Sequence, residues 1–189
     1  MAGFSGEIGQ PVTPPPDFDL SLHDLRVVAG YVATTAEVLL PFYEGTHPGD
    51  ARPRDAVAAA WVFAGGAART VLQRRASMGA HRAAANAADD VARLAAQAAG
   101  DAASAAYLHP IAKAHQVGHI LRADANAARI AEINAGFDPA AAQDAIQRSA
   151  ARATPGLREI LRRYPPAPAG RSRTAQLMKI LDDALRATP

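Results

Sequence analysis

The chain contains no cysteine, which excludes disulfide scaffolds, thiolate metal sites and cysteine nucleophiles. Lysine is nearly missing too: of 20 basic residues only Lys113 and Lys179 are not Arg. No stretch of about 18 residues is free of charged or strongly polar side chains, the length a membrane-spanning helix needs, so no span is expected. No apolar–polar alternation is long enough for a strand. Phosphate-binding glycine loops, the nucleophile-elbow pattern and Cys/His zinc spacings are all wanting. What the chain has in abundance is alanine. Hydrophobic residues make up 49% of 189 residues, and 48 of them are Ala. So much apolar surface excludes a disordered chain, and the length fits one globular domain with an appendage.

The excess of Ala and Arg matches the codon bias of a GC-rich bacterial genome. Net charge is +2, unevenly spread: residues 1–50 hold Arg26 against seven acids, and residues 51–189 hold 19 bases against 11 acids. A lopsided field can steer a charged partner. It argues against nucleic acid, because the acidic end would repel phosphate. The opening MAGFSGEIGQPVTPPP has neither a basic n-region nor a long apolar core, so a secretory signal is not expected and a cytoplasmic location is.

Helical signals run through the rest. Ser21 and Asp24 have capping-box spacing. Leu22, Leu25, Val28, Val32, Ala36 and Leu39 then share one face, with Pro41 as the expected end. A second helix starts at Pro53 and carries Val57, Ala60, Trp61, Ala64, Ala68, Val71 and Leu72 on its apolar side, with a bend at Gly65-Gly66. Trp61 is expected in the core. A third spans 79–99 with a polar stripe of Arg82, Asn86, Asp89, Arg93 and Gln97. A fourth spans 101–122 with a kink before Pro110. A fifth spans 124–135, capped by Asp124. Asp138-Pro139 and Thr154-Pro155 pair an N-cap with a proline at the first helical position, opening helices near 139–153 and 155–163. The proline-rich run 165–172 reads as a stiff connector to an amphipathic helix carrying Leu177, Ile180, Leu181, Ala184 and Leu185.

Chemistry centres first on histidine. With about 3.6 residues per turn, His109, Gln116, His119 and His115 fall on one side of the fourth helix, and Ile111, Ala114, Val117 and Leu121 on the other. His115 and His119 have the i,i+4 spacing of helix-borne zinc ligands. Gln116 stands where the zincin motif places its glutamate, and an amide cannot act as that general base. A divalent transition metal on His109, His115 and His119, with His81, Asp89 or Asp90 completing the set, is one reading. A hydrogen-bonded polar strip at a helix seam, with no cofactor, is the other. Asp89-Asp90 and Asp182-Asp183 are expected to be solvated, since adjacent helical residues diverge by about 100°. Arg74-Arg75 and the trio Arg158, Arg162 and Arg163 suit phosphate or the negative ends of helix dipoles.

Several blocks together resemble a bacterial family, the immunity-protein-five-like group. They are Asp24-Leu25-Arg26 with its helix, His47-Pro48-Gly49-Asp50-Ala51-Arg52-Pro53-Arg54, Tyr107-Leu108-His109-Pro110-Ile111, and Gln116-Val117-Gly118-His119-Ile120-Leu121. The resemblance spans about 20–135 and extends faintly to 162–166. It implies a small cytoplasmic protein that binds and neutralises a cognate toxin, and it carries no catalytic residues to transfer. Some members are labelled exonucleases, yet this chain lacks an acidic cluster to hold catalytic metals.

The sequence therefore predicts an all-α array of about six to eight Ala-rich helices. An arm (1–19) precedes a helical domain (20–164), a linker (165–172) and a C-terminal helix (173–189). The expected function is non-enzymatic protein binding, with a toxin as partner. The contact surface is the loop from Glu44 to Asp50, including His47, together with Arg52, Arg54 and Asp55. The alternative is a metal-binding helical bundle with hydrolytic potential. A helix on a stiff tether can be exchanged between subunits, which makes a homodimer accessible.

Overall fold

A computed structural model describes residues 17–188, and every regular element in that range is helical. The order is α1 (Leu22–Glu44), α2 (Arg52–Ala64), α3 (Val71–Ala85), α4 (Asp90–Ser104), α5 (Gly118–Asn134), α6 (Pro139–Arg152), α7 (Pro155–Arg162) and α8 (Arg173–Ala187). Two 3₁₀ turns, Ala105–Tyr107 and Ala114–Val117, lie between α4 and α5. Of the expected arm, residues 1–16 lie outside the described residues. Asp17 is tied down: its N–H donates to the Pro110 carbonyl (2.9 Å), and its carboxylate accepts from the Ala112 N–H (2.6 Å).

The local caps form as their chemistry dictates. Ser21 and Asp24 make a reciprocal capping box, and Asp138 and Thr154 accept from the Ala140 and Leu157 amides. Helix α1 runs through Pro41 to Glu44 rather than stopping at the proline. Its sequence is long and apolar enough to cross a membrane by length and composition alone, but 56% of that window is buried inside the protein. Here α1 packs against α2, α4 and α5.

Gly65-Gly66 ends a helix instead of bending one. Gly66 takes φ +109°, a left-handed conformation that disfavours any Cβ, and Arg26 donates to its carbonyl at 2.7 Å. A new helix then starts at Thr70, whose side chain accepts from the Leu72 amide while Gln73 accepts from the Thr70 N–H. Consequently Val71 and Leu72 are exposed, and Trp61 is not a core residue: it is 38% exposed, and its indole N–H donates to Glu37 at 3.2 Å. The predicted polar stripe along 79–99 crosses a second break, since Asn86 ends α3 and Asp89 caps α4.

Around Pro110 the chain leaves the helix altogether. Proline removes a donor and pushes the preceding residue toward extended backbone. The His109 N–H is satisfied by the Gln116 side chain (3.2 Å), and its carbonyl accepts from the Tyr164 hydroxyl (3.0 Å). The break shifts the next start to Gly118, so Asp124 lies inside α5, not at its cap.

Helix α4 is the centre of the array. Ala92, Ala95, Ala96, Ala99 and Ala103 are all fully buried, which lets α1 and α3 both approach it closely. A helix buried nearly all round belongs in the middle of its layer. At the C-terminus, α8 packs on α5, α6 and α7 of its own chain through Leu177, Leu181 and Leu185, leaving Ile180 partly exposed. Its tether is anchored: the buried Ala167 donates its N–H to Asp182 (2.8 Å).

Candidate functional site

The six residues expected to form the contact surface do come together, between the end of α1 and the first turns of α2. They bind mainly to one another. Glu44 accepts from Arg54 at 2.6 Å. Asp50 accepts from the Arg52 Nε (2.8 Å) and from the Tyr43 hydroxyl (2.6 Å). Tyr43 stacks on His47 with ring centroids 4.4 Å apart, and the His47 Nδ1 meets the Thr46 hydroxyl at 2.8 Å. The Arg52 guanidinium holds the Asp50 carboxyl well below the usual carboxylate range. Burial, and then the Asp50 carboxylate, push the Tyr43 phenol up to about 12. Asp55 is exposed and has no ion-pair partner among the described residues. The loop is thus a braced projection rather than a free acidic patch. Its exposed Glu44–Arg54 pair is screened by solvent and adds little to stability.

The histidines do not converge as the helical wheel predicts, because residues 108–117 are not α-helical. His109 and His115 are exposed. The His115 Nε2 meets the Gln116 amide nitrogen at 2.9 Å. His119, half-buried in the first turn of α5, faces the Ser104 hydroxyl across 3.4 Å. Among the described residues no group of three or more His, Asp or Glu side chains is placed to hold a metal ion. His81 comes from α3, with its Nε2 3.7 Å from Asp101.

The polar groups that matter most structurally are buried carboxylates, of which the sequence did not single out Asp101 and Glu132 and assigned Asp124 and Asp182 other places. Asp101 is fully buried in α4 and receives both ends of the Arg122 fork, the Nε at 2.8 Å. His81 and His119 flank this pair. Burial holds both imidazoles below their ordinary range, while Asp101 pulls the other way. Asp124, fully buried in α5, accepts from Arg152 (2.6 Å) and from Thr35 (2.8 Å), and Arg152 lies over the Tyr31 ring at 4.4 Å. Glu132 takes Arg129 and Arg173, each at 2.6 Å. Asp182 takes Arg186 at 2.8 Å and is buried, against the expectation that both members of Asp182-Asp183 are solvated. Removing one partner of such a buried pair costs about 3–5 kcal/mol. The i,i+3 and i,i+4 pairs Arg129–Glu132 and Asp182–Arg186 are readable from spacing; the others join distant helices and leave no local trace.

The arginine strips are also largely engaged. Arg158 donates to the Ala150 carbonyl, Arg162 to that of Thr188, and Arg163 to Asp24 (2.9 Å) and to the Asp19 carbonyl. Arg74 lies over the Tyr107 ring at 5.0 Å. Asp89 and Arg93 of the polar stripe have the i,i+4 spacing of an ion pair, but Asp89 is occupied as a cap and Arg93 pairs with Asp90 instead (3.0 Å).

With this geometry in hand, comparison with known families finds a match. The family model described as "Imm-5 like putative immunity protein" covers residues 19–152, from the entry to α1 to the end of α6. Neither a curated protein nor a solved structure matches.

Proposed function

The chain belongs to the Imm-5 like immunity protein family, and from that premise we propose that it binds a cognate toxin protein in the cytoplasm and neutralises it by occlusion. The family match over residues 19–152 carries this reading. The character of the interior supports it. The buried carboxylates Asp101, Asp124, Glu132 and Asp182 are each held by an arginine, so their charge serves the fold and recognition falls to the surface. The braced loop 45–51 with Arg54 and Asp55 contributes a preformed contact surface, and its internal ion pairs reduce the ordering cost of association.

The test is co-expression with candidate toxin genes from the same genome, read as growth of the host cell. Full protection by the wild type is expected. Arg54→Glu with Asp55→Lys, both exposed positions, is expected to weaken protection while leaving the melting temperature within a few degrees. A host killed at the same rate with and without the wild-type chain ends the proposal.

A further inference from the structure

Helices α1 and α6 each pack on α5 but scarcely on each other. One bridge joins them: the Tyr31 hydroxyl donates to the Ser149 carbonyl (3.2 Å), and Arg152 donates to the Thr35 hydroxyl (2.6 Å). Beyond the bridge the gap is open, forming a hollow from Thr34 to Phe42 with Ile130 and Ala131 of α5 and Arg148 of α6 along its other side. A second hollow lies over Gly30, between Trp61 of α2 and Arg152. The two share Thr34 and Arg152 and so lie end to end along α1, a furrow crossed at its middle by the Arg152–Thr35 bridge. From Arg26 to Phe42 it runs about 24 Å at about 1.5 Å per residue. Gly30 keeps its floor low: a Cβ there would already touch the Ala64 Cβ at 3.8 Å and the Trp61 ring at 4.0 Å.

The furrow is apolar and one-signed. Val38 is 69% exposed along it, with Phe42 and Trp61 also open to solvent. Its charged lining residues are Arg26, Arg148 and Arg152, and no carboxylate lines either hollow. Glu37, an exposed carboxylate on this stretch of α1, is taken by the Trp61 indole. Arg152 already serves Asp124, and the Arg26 guanidinium already donates to the Gly66 and Ala67 carbonyls, but Arg148 has no ion pair among the described residues. Arginines set in apolar walls suit a peptide with apolar side chains and carboxylates; a phosphate backbone asks for a continuous basic track.

We infer that this furrow is the docking site for an amphipathic acidic segment of the protein partner, resting on the reading that the partner is a protein. Apolar side chains of the segment cover Val38, Phe42 and the Gly30 saddle. Its carboxylates meet Arg148 at one end, and the positive charge of Arg26 favours an acidic segment at the other.

The experiment selects a displayed library of random peptides, roughly 16 residues long to match the furrow as a helix, on the immobilised full chain. The control is the V38E/R148E variant, whose two sites are exposed, with circular dichroism to show that it is folded. Wild type is expected to enrich peptides combining Leu, Ile or Phe with Asp or Glu. Synthetic copies should shift the emission of Trp61, the chain's one tryptophan, and bind the variant at least about tenfold more weakly. No enrichment, winners that bind both proteins equally, or a single-stranded oligonucleotide that binds the furrow more tightly than any peptide would each overturn the inference. In the growth assay, equal protection by wild type and V38E/R148E removes the furrow and leaves immunity standing. A wild type that fails to protect removes immunity, whatever the peptide selection returns.

Discussion

The imidazole of His81 rests on the bare α-carbon of Gly100: a Cβ built at that glycine would lie 2.7 Å from the ring Cε1 and 2.8 Å from both ring nitrogens. A glycine inside a helix costs about 1 kcal/mol relative to alanine, so its presence in α4 needs a packing reason. The ring is that reason. Its seat on α4 keeps it beside the buried Asp101 carboxylate.

Gly100→Ala should therefore destabilise the protein by about 1–3 kcal/mol, although alanine is the better helix former. In a His81→Ala background the same change should be neutral or stabilising by up to about 1 kcal/mol. Urea denaturation of the four proteins in the double-mutant cycle measures this. An equal cost in both backgrounds would show that the added methyl meets something other than the ring.

The two imidazoles near Asp101 predict a weakening on mild acidification. Burial holds His81 and His119 below their ordinary range. The unfolded chain, with an ordinary histidine pKa of about 6.5, takes up protons first. The stability these groups contribute is complete above about 6.5 and is lost as the pH falls from there toward the folded values. Melting temperature should drop between pH of about 7 and 5.5. His81→Gln with His119→Gln should flatten that part of the curve. A wild-type curve as flat as the variant's would refute the assignment.

The alkaline limb runs the opposite way. Burial raises the Tyr31, Tyr43 and Tyr164 phenols, Tyr43 to about 12 with help from Asp50. A raised folded value means that the contribution is complete below the ordinary phenol value of about 10. It is lost as the pH climbs through the folded values, which for Tyr43 is the window up to about 12. Tyrosinate absorbance of the native protein should lag that of the urea-unfolded chain, and Tyr43→Phe should shrink the lag. Coincident titration curves would show these hydroxyls to be solvated.

The connector before α8 offers a site-specific test. Asp182 is fully buried and accepts from both the Ala167 amide and Arg186. Asp182→Ala should cost about 3 kcal/mol, because it strands a buried donor and an arginine. Hydrogen exchange at the Ala167 amide should rise to the rate of an exposed loop while amides in α4 stay protected. Unchanged protection at Ala167 would mean that the tether is held by packing alone.

The candidate surface was partly legible. Glu44, His47, Asp50, Arg52, Arg54 and Asp55 are close in sequence across one helix–loop–helix turn, so proximity followed from chain connectivity. That they bind one another could not be read, because it depends on Tyr43 and Arg52 reaching the same Asp50 carboxylate. The histidine strip was not legible, since it requires a continuous helix from 109 to 119 that Pro110 abolishes. The furrow along α1 had no linear signature, since Gly30, Trp61 and Arg148 come from three separate helices.

Residue order alone settles the helical class of this protein and the starts at Ser21, Asp138 and Thr154, because a cap is a contact between a side chain and an amide two or three positions away. Whether Gly65-Gly66 bends a helix or ends it, and which acids go inside, are decided only when helices meet. Asp101 finds Arg122, and Asp124 finds Thr35 and Arg152, across the packed array. A buried charge is tolerable only where its partner has already been brought to it by the burial of the apolar surface around both.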